Sequence, residues 1–590
     1  MNPMSSPQTP PLSPDPLAAT QDLIVIGAGG AGMAAALFGV MQGLQVLLLE
    51  STEYIGGTTA FSAGTIWVPN SAHAAEVGVH DDSVERASAY LDRVAAGRGD
   101  AALRRAFLEA GPQALALLEA HSHVKLRAYA KHPDYESDLE GATLKGRAME
   151  PLPFDGRLLG RHFSLLRPPI PEFTVLGGMM VDRTDVNHLL GMTQSLASLR
   201  HALKLLGRHA LDRLSHPRGT RLVMGNALVA RLLRSLLDRQ VPIRTRAKVE
   251  ELLIEQGCVT GVRVLLDGTS QTLRARAGVV LASGGFNRHP QLRAQLLPAA
   301  PTYTPGAPGH TGAALALALQ AGARFGSGQL ENAFWAPVSV RQRADGSTAV
   351  FPHFVLDRAK PGTIVVNQAG ERFVNESTSY HRFGRAMLQA HPSAPCIPAY
   401  LIADARALKT YGLGMVRPGG GGLQAFIDEG YVVRGQTLAE LAGQLKIPAA
   451  TLERSVARLN EHARAGVDPD FGRGTTDYQR NIGDPNAAGP NPNLGPLTEA
   501  PYYAVRLYPG DIGAAAGLLT DTDARVLNAD NRPIGGLYAI GNDMNSSMGG
   551  TYPGPGITIG PALTFAFIAV RHAAAVLQTA ASASSARTST

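Results

Sequence analysis

The sequence predicts an α/β fold in two lobes: a nucleotide-binding domain whose segments lie far apart in the chain, and an α+β domain inserted between them. Three observations carry this reading. An apolar strand, a glycine turn, an apolar helix and a second strand follow one another in "DLIVIGAGGAGMAAALFGVMQGLQVLLLE", from Asp22 to Glu50. Two more strand-then-glycine elements come much later, "GVVLASGGF" from Gly278 and "GLYAIGND" from Gly536. Finally, the Gly/Pro/Asn-rich "NIGDPNAAGPNPNLGP" from Asn481 has the composition of a boundary loop.

The first unit fixes the type of domain. Leu23 to Ile26 and Val46 to Leu49 are continuous apolar runs of the kind that parallel strands buried on both faces require. Between them Gly27, Gly29 and Gly32 fit G-x-G-x-x-G, with Gly30 and Ala31 inside the motif. The glycines permit a tight turn, close approach of backbone to a pyrophosphate, and close helix packing, while the helix N-terminus favours the phosphates. Glu50, followed by Ser51, ends the second strand where a carboxylate can accept hydrogen bonds from ribose hydroxyls. Together these predict a Rossmann-like dinucleotide site.

Composition bounds the rest. A chain of 590 residues, 45% apolar and 17% charged, is globular and buries a large core. Two cysteines, Cys258 and Cys396, supply neither a disulfide framework nor a cysteine-rich metal site, and suit a reduced, cytoplasmic setting. No metal-spaced His/Cys cluster is present, so no metal is expected. The net charge of +6 would permit nucleic-acid binding, but no motif for it accompanies the charge, and none is expected. Residues 1–20, with six prolines, and 578–590 read as a disordered leader and tail. No stretch between them reaches the roughly 18 uncharged apolar residues of a spanning helix. The nucleotide-binding domain is placed at 21–330 and 491–577, the inserted domain at 331–490.

The segment after the βαβ unit selects the cofactor. "GGTTAFSAG", with Gly57, Thr58, Thr59, Ser62 and Gly64, resembles the flavin-contacting loop of the FAD-dependent fumarate reductase/succinate dehydrogenase flavoprotein superfamily. The later elements resemble the same group: Gly284 and Gly285 after one strand, and Gly541 and Asn542 after another. "GNAL" from Gly225 resembles the loop before a helix, read as Ala227 to Leu237, that leads to an adenine-side contact at Val249. The resemblance implies non-covalently bound FAD and an inserted catalytic cap domain facing it.

Four further pieces resemble the 3-ketosteroid Δ1-dehydrogenases. These are the flavin loop, "NESTSYHRFGRAM" from Asn375, "HPDY" from His132, and "TYPGPG" from Thr551. The resemblance implies that Tyr552 and the N–H of Gly556 bind the ketone oxygen, with Ile557 beside the flavin. Tyr380 would take the C2 proton, its phenolate character supported by Tyr135, while hydride leaves C1 for FAD. A quinone-type acceptor would reoxidise the cofactor. A phenol of ordinary pKa near 10 is a weak base, so a neighbouring positive group is expected; Arg382 and Arg385 are the closest in sequence. His132, His310 and His381 read as loop or surface histidines. The alternatives are a Δ4-(5α)-dehydrogenase of the same steroids, a fumarate-reductase-like enzyme, and a flavoprotein without turnover; Tyr-Pro-Gly where carboxylate-binding sites carry His-Pro-Thr weighs against the second.

One segment stands outside this pattern. "LASLRHALKLLGRHALDRL", residues 196–214, sets Leu196, Leu199, Leu203, Leu206, Ala210 and Leu214 on one helical face and four cations elsewhere. Such a basic amphipathic helix suits peripheral membrane contact; the more ordinary expectation is that the leucines pack onto the protein itself.

Overall fold

The computed structural model describes residues 18–355 and 357–588. The expected leader falls almost wholly on residues 1–17, outside the described residues, and a strand already begins at Thr20. The apolar runs do form buried strands, Thr20–Ile26, exposed only at Thr20, and Val46–Leu49, joined by the helix Gly30–Met41. They sit in a mixed sheet of eight strands.

Register is what makes the distant glycine elements one site. Ile26 pairs with both Leu49 and Leu281, and Leu281 pairs in turn with Ala539, all in parallel. The strands Thr20–Ile26, Thr269–Leu281 and Pro533–Ala539 therefore end level, and the turns at Gly27, Gly284 and Gly541 emerge side by side at their carboxyl ends. That edge is where open parallel sheets bind ligands. A Cβ on Gly32 would lie 1.8 Å from the carbonyl oxygen of Gly27, so only glycine lets the helix sit this close to the turn.

The second sheet has six strands paired antiparallel, with Tyr502–Ala514 at its centre between Ala333–Gln342 and Ala399–Ala403. The inserted domain thus reaches at least to Ala514, not 490: the Pro/Asn-rich loop is a connection within it, because the strand that completes its sheet comes afterwards. Asp511 on that strand ties the lobes together, buried, paired with Arg293 at 2.7 Å and accepting a hydrogen bond from Asn287. The helix Tyr380–Ala390 packs on Ala333–Gln342 through Gly384, where a Cβ would lie 2.6 Å from that of Trp335.

Two further expectations are corrected. "GNAL" is no loop: Gly225 to Leu228 form the first turn of a helix, Met224–Asp238, and Asn226 is buried, donating to the Ala60 and Arg167 carbonyls. The C-terminal segment is helical through Thr588 rather than a disordered tail, as its alanine-rich composition favours. Its Ile559–Ser582 portion is long and apolar enough to cross a membrane, yet 61% of it is buried, against the helices Gly30–Met41 and Ala101–His121, which is the behaviour of a core helix.

Overpacking the cap helix should be costly. Gly384→Val is expected to destabilise the protein by about 1–3 kcal/mol, read as a lowered melting temperature; an unchanged melting temperature would show that helix and strand separate freely.

Candidate active site

Three tyrosines from three remote segments meet in one cluster. Ring centroids of Tyr380 lie 5.3 Å from Tyr135 and 5.2 Å from Tyr552, and Tyr135 stacks on Tyr552 at 5.8 Å. All are buried. Phe334 and Phe354 close the cluster edge-on, against Tyr552 and Tyr380 respectively, and Tyr478 packs on Tyr135 at 4.8 Å.

Each tyrosine is placed by its own scaffold. Tyr380 opens the cap helix, whose N-cap Ser379 accepts from the Arg382 N–H. The preceding "NEST" is fastened by Asn375, which donates to the Phe471 carbonyl, and by Glu376, fully buried and paired with Arg372 at 2.7 Å and Arg473 at 3.4 Å. Tyr135 is held from its neighbour: Asp134 accepts from the Trp67 indole at 2.8 Å and pairs with Arg147, which also pairs with Asp82.

Tyr552 precedes a turn that admits only glycine at two points. A Cβ on Gly554 would strike the Trp67 ring, and one on Gly556, at φ +95°, would lie 2.5 Å from the Thr65 carbonyl oxygen. The Pro553 carbonyl accepts from the Tyr135 N–H at 2.9 Å and the Tyr90 hydroxyl at 2.6 Å. The Gly556 carbonyl accepts from Trp67 and Gly560, while its N–H donates to no acceptor among the described residues. The Tyr552 hydroxyl itself is hydrogen-bonded to Tyr380 and Thr558.

The electrostatics correct one expectation. Burial pushes the Tyr380 phenol well above its ordinary value, and neighbouring Tyr135 and Tyr552 add to the rise through charge and hydrogen bonding. Tyr135 is likewise raised by burial and Tyr552 more moderately so. The cluster holds neutral phenols; no phenolate is stabilised in advance. Nor do the sequence-adjacent arginines supply the positive field: Arg382 pairs with Glu136 and Arg385 with Glu331.

The cation that reaches the cluster is Arg358, which sequence reading missed. It is fully buried, lies beside Tyr478 and Tyr135, and donates to the carbonyls of His353, Phe354, Glu376 and Thr378. It therefore braces the loop that ends at Tyr380 while facing Tyr135. No motif marks it. The expected surface histidines are also corrected: His310 and His381 are buried, and burial lowers them to about 4 and about 3, so both are neutral.

The residues expected to hold the cofactor lie at and around the strand ends. The N-cap residue Gly29 offers no side chain to the helix Gly30–Met41, and a Cβ on it would meet nothing within 4 Å, so there is open space beside the helix N-terminus. Glu50 accepts from the Ala28 and Thr52 N–H groups, both at 2.9 Å. Thr59 accepts from Gly30, and Ser62 accepts from Gly64. Asp543 binds the backbone of Ser283 and Gly285, locking the Gly541–Asn542 turn to the Gly284–Gly285 turn. Ala247 donates to the Glu50 carbonyl, which sets the start of the strand Lys248–Glu255, carrying Val249, beside Glu50. The sequence reading missed the loop at Gly306 to His310, where Ala307 donates to Thr58, the His310 ring fills the space beside Gly284, and Gly309 adjoins Ser51 and Glu50. A cavity of about 30 Å³ beside the Gly541–Asn542 turn is lined by Phe334, Asn542, Ile557 and Thr558. Small residues, an open helix N-terminus and a strand-end acid fit a flavin dinucleotide.

Comparison with known proteins agrees. Residues 22–559 match the FAD binding domain family. The chain is 38% identical to 4-oxocyclohex-2-ene-1-carboxylate 5-dehydrogenase of Sinomonas cyclohexanicum, over 94% of this chain and 93% of that one. It is 36% identical to 3-oxosteroid 1-dehydrogenase of Mycolicibacterium smegmatis, over 94% and 97%. Among solved structures, 3-ketosteroid delta1-dehydrogenase from Sterolibacterium denitrificans, in complex with 1,4-androstadiene-3,17-dione, superposes with a TM-score of 0.87 at 37% identity, covering 95% of this chain and 100% of that one.

Glu376 offers a test of the scaffold. Burial alone would raise its carboxyl; Arg372 and Arg473 overturn this and hold it below the usual range. A depressed folded-state pKa gives stability that is present above the ordinary carboxyl range and lost as pH falls through the folded value. Glu376→Gln should therefore cost about 3–5 kcal/mol near neutrality, with the gap in melting temperature to the unmodified protein narrowing in acid. A gap independent of pH would refute the ionised assignment.

Proposed function

Because the chain belongs to the FAD binding domain family that includes the 3-oxosteroid 1-dehydrogenases, we propose that it removes hydrogen from C1 and C2 of 3-oxo steroids. The observation that carries this reading is the convergence of Tyr380, Tyr135 and Tyr552 beside the Gly556 amide. Tyr552 and Gly556 donate to the ketone oxygen and stabilise the negative charge that develops there as C2 is deprotonated. Tyr380 receives that proton. Tyr135, hydrogen-bonded to Tyr380 and facing Arg358, lies where it can share it. Bound FAD would accept the hydride leaving C1, and the glycines at the three strand ends would hold it. A second turnover then needs an external two-electron acceptor, for which a quinone-type molecule is the proposal.

A smaller cyclic ketone bearing a carboxylate is the second reading, favoured by the relative from Sinomonas. Both substrates present the same chemistry, desaturation beside a ring ketone. The charges favour the uncharged steroid: Arg358 is engaged by four carbonyls, and Arg382 and Arg385 by glutamates. None of the three is left to clamp a carboxylate.

The test is anaerobic mixing of the yellow protein with androst-4-ene-3,17-dione, following the flavin absorbance and identifying the product by mass and NMR. Bleaching with a 1,4-diene product is expected; bleaching only by 4-oxocyclohex-2-ene-1-carboxylate would establish the second reading instead. Tyr552→Phe should lower kcat roughly 10²–10³-fold and Tyr380→Phe roughly 10²–10⁴-fold, both with flavin retained. Because Tyr380 titrates well above the ordinary phenol range, its basic form grows as pH rises, and kcat/KM should climb through neutrality into the alkaline range. An optimum at acid pH would exclude Tyr380 as the base.

A further inference from the structure

The leucine face predicted for residues 196–214 does not pack into the core. The helix Leu196–Asp212 rests on the protein through Ala202, Leu205, His209 and Asp212, with His209 bonded to the Leu176 carbonyl. Leu196, Leu203, Leu211 and Leu214 are exposed by 59–86%. Leu176, at the tip of the hairpin Thr174–Met180, and Leu190, ending the helix Arg183–Leu190, are exposed beside them in sequence. These six make up half of the twelve exposed large apolar side chains among the described residues, though the segment from Leu176 to Leu214 is a small part of the chain. Clustering of that degree marks an interaction surface.

The charges say which surface it meets. All three carboxylates of the segment are turned inward: Asp182 and Asp185 pair with Arg221, and Asp212 accepts from the Thr220 N–H. Its exposed charges are Arg183, Arg200, Lys204 and Arg213, all positive. Two copies of this face would set like charges against each other, whereas an anionic lipid surface offers a hydrocarbon boundary to the leucines and phosphates to the cations. We propose that the segment from Leu176 to Leu214 docks the protein on anionic lipid.

The face adjoins the cap domain. Phe173 stacks on Phe351 of the cap at 5.0 Å, Arg417 of the cap donates to the Thr174 carbonyl, and the Arg183 charge reaches His132, three residues before Tyr135. Docking stands on the surface alone; the steroid reading adds a reason for it, delivery of a lipophilic substrate from the bilayer.

The experiment is flotation of the full-length, FAD-loaded protein with phosphatidylcholine vesicles, with and without phosphatidylglycerol. Binding to the anionic vesicles, weakened by salt, is expected. Arg200→Glu/Lys204→Glu should lower it at least roughly tenfold, from two cations each worth about fivefold near an anionic surface, and Leu203→Ser/Leu211→Ser should lower it too. Melting temperature and turnover of detergent-dispersed steroid should stay unchanged in both variants. Absence of flotation, or flotation indifferent to both variants, overturns the proposal. So does a leucine-dependent dimer in sedimentation velocity without vesicle binding, which would assign the face to a second copy. Flotation without steroid turnover would count against the proposed reaction and leave docking intact.

Discussion

The Pro553 carbonyl is where the two halves of the site are fastened together. It accepts from the Tyr135 backbone and the Tyr90 hydroxyl at once, so the loop carrying Tyr135 and the turn carrying Tyr552 cannot move independently. Proline at this point donates nothing and leaves its carbonyl to be shared, and the glycines after it let the turn lie against Trp67 and Thr65. Trp67 answers by donating its indole N–H to Asp134, next to Tyr135. The loop and the turn are thus closed into a ring of contacts around one indole. Tyr380 enters from the other lobe, and its position depends on how the cap seats on this ring.

That seating is electrostatic as much as apolar. Arg358 and Glu376 are both fully buried, yet they do not pair with each other's charge; Arg358 is spent on four carbonyls and Glu376 on two other arginines. A buried charge whose partners are backbone oxygens imposes a conformation on the loop that supplies them. The residues from Glu376 to Ser379 therefore arrive at Tyr380 with little freedom, and, on the proposed reading, a proton acceptor whose basic form is rare would gain most from being held in place.

The βαβ unit and the three glycine turns were legible because each is written locally, as an apolar run of strand length and glycines at fixed spacing, whereas the tyrosines were singled out by the resemblance of "HPDY", "NESTSY" and "TYPGPG" to a known family. Arg358 was not, since its significance lies in carbonyls that only folding brings around it, and an arginine in "FVLDRAK" has no pattern to announce it. The cap boundary failed for a related reason. Pro/Asn-rich composition reports a loop, not which sheet the next strand will join, and Tyr502–Ala514 joins the sheet begun at Ala333. The Leu196–Asp212 helix shows periodicity succeeding while the side it buries is misassigned: two apolar faces are present, and the weaker one, Ala202 and Leu205, is taken inward because its neighbours His209 and Asp212 find polar partners there.

The raised phenols bear on how such a site can work at all. Tyrosines packed ring against ring out of water disfavour any single phenolate, yet the same packing makes each hydroxyl a neutral donor of fixed direction. A ketone oxygen beside Tyr552 and Gly556 would receive those dipoles without the reorganisation that water would require, so the acidity of the neighbouring carbon rises when substrate is seated. The base does not need to be strong beforehand if the carbon acid is strengthened where it binds. On the proposed reading, the burial that makes Tyr380 a poor base in isolation is the same burial that would make the Tyr552–Gly556 pair an effective electrophile, and one aromatic enclosure would account for both.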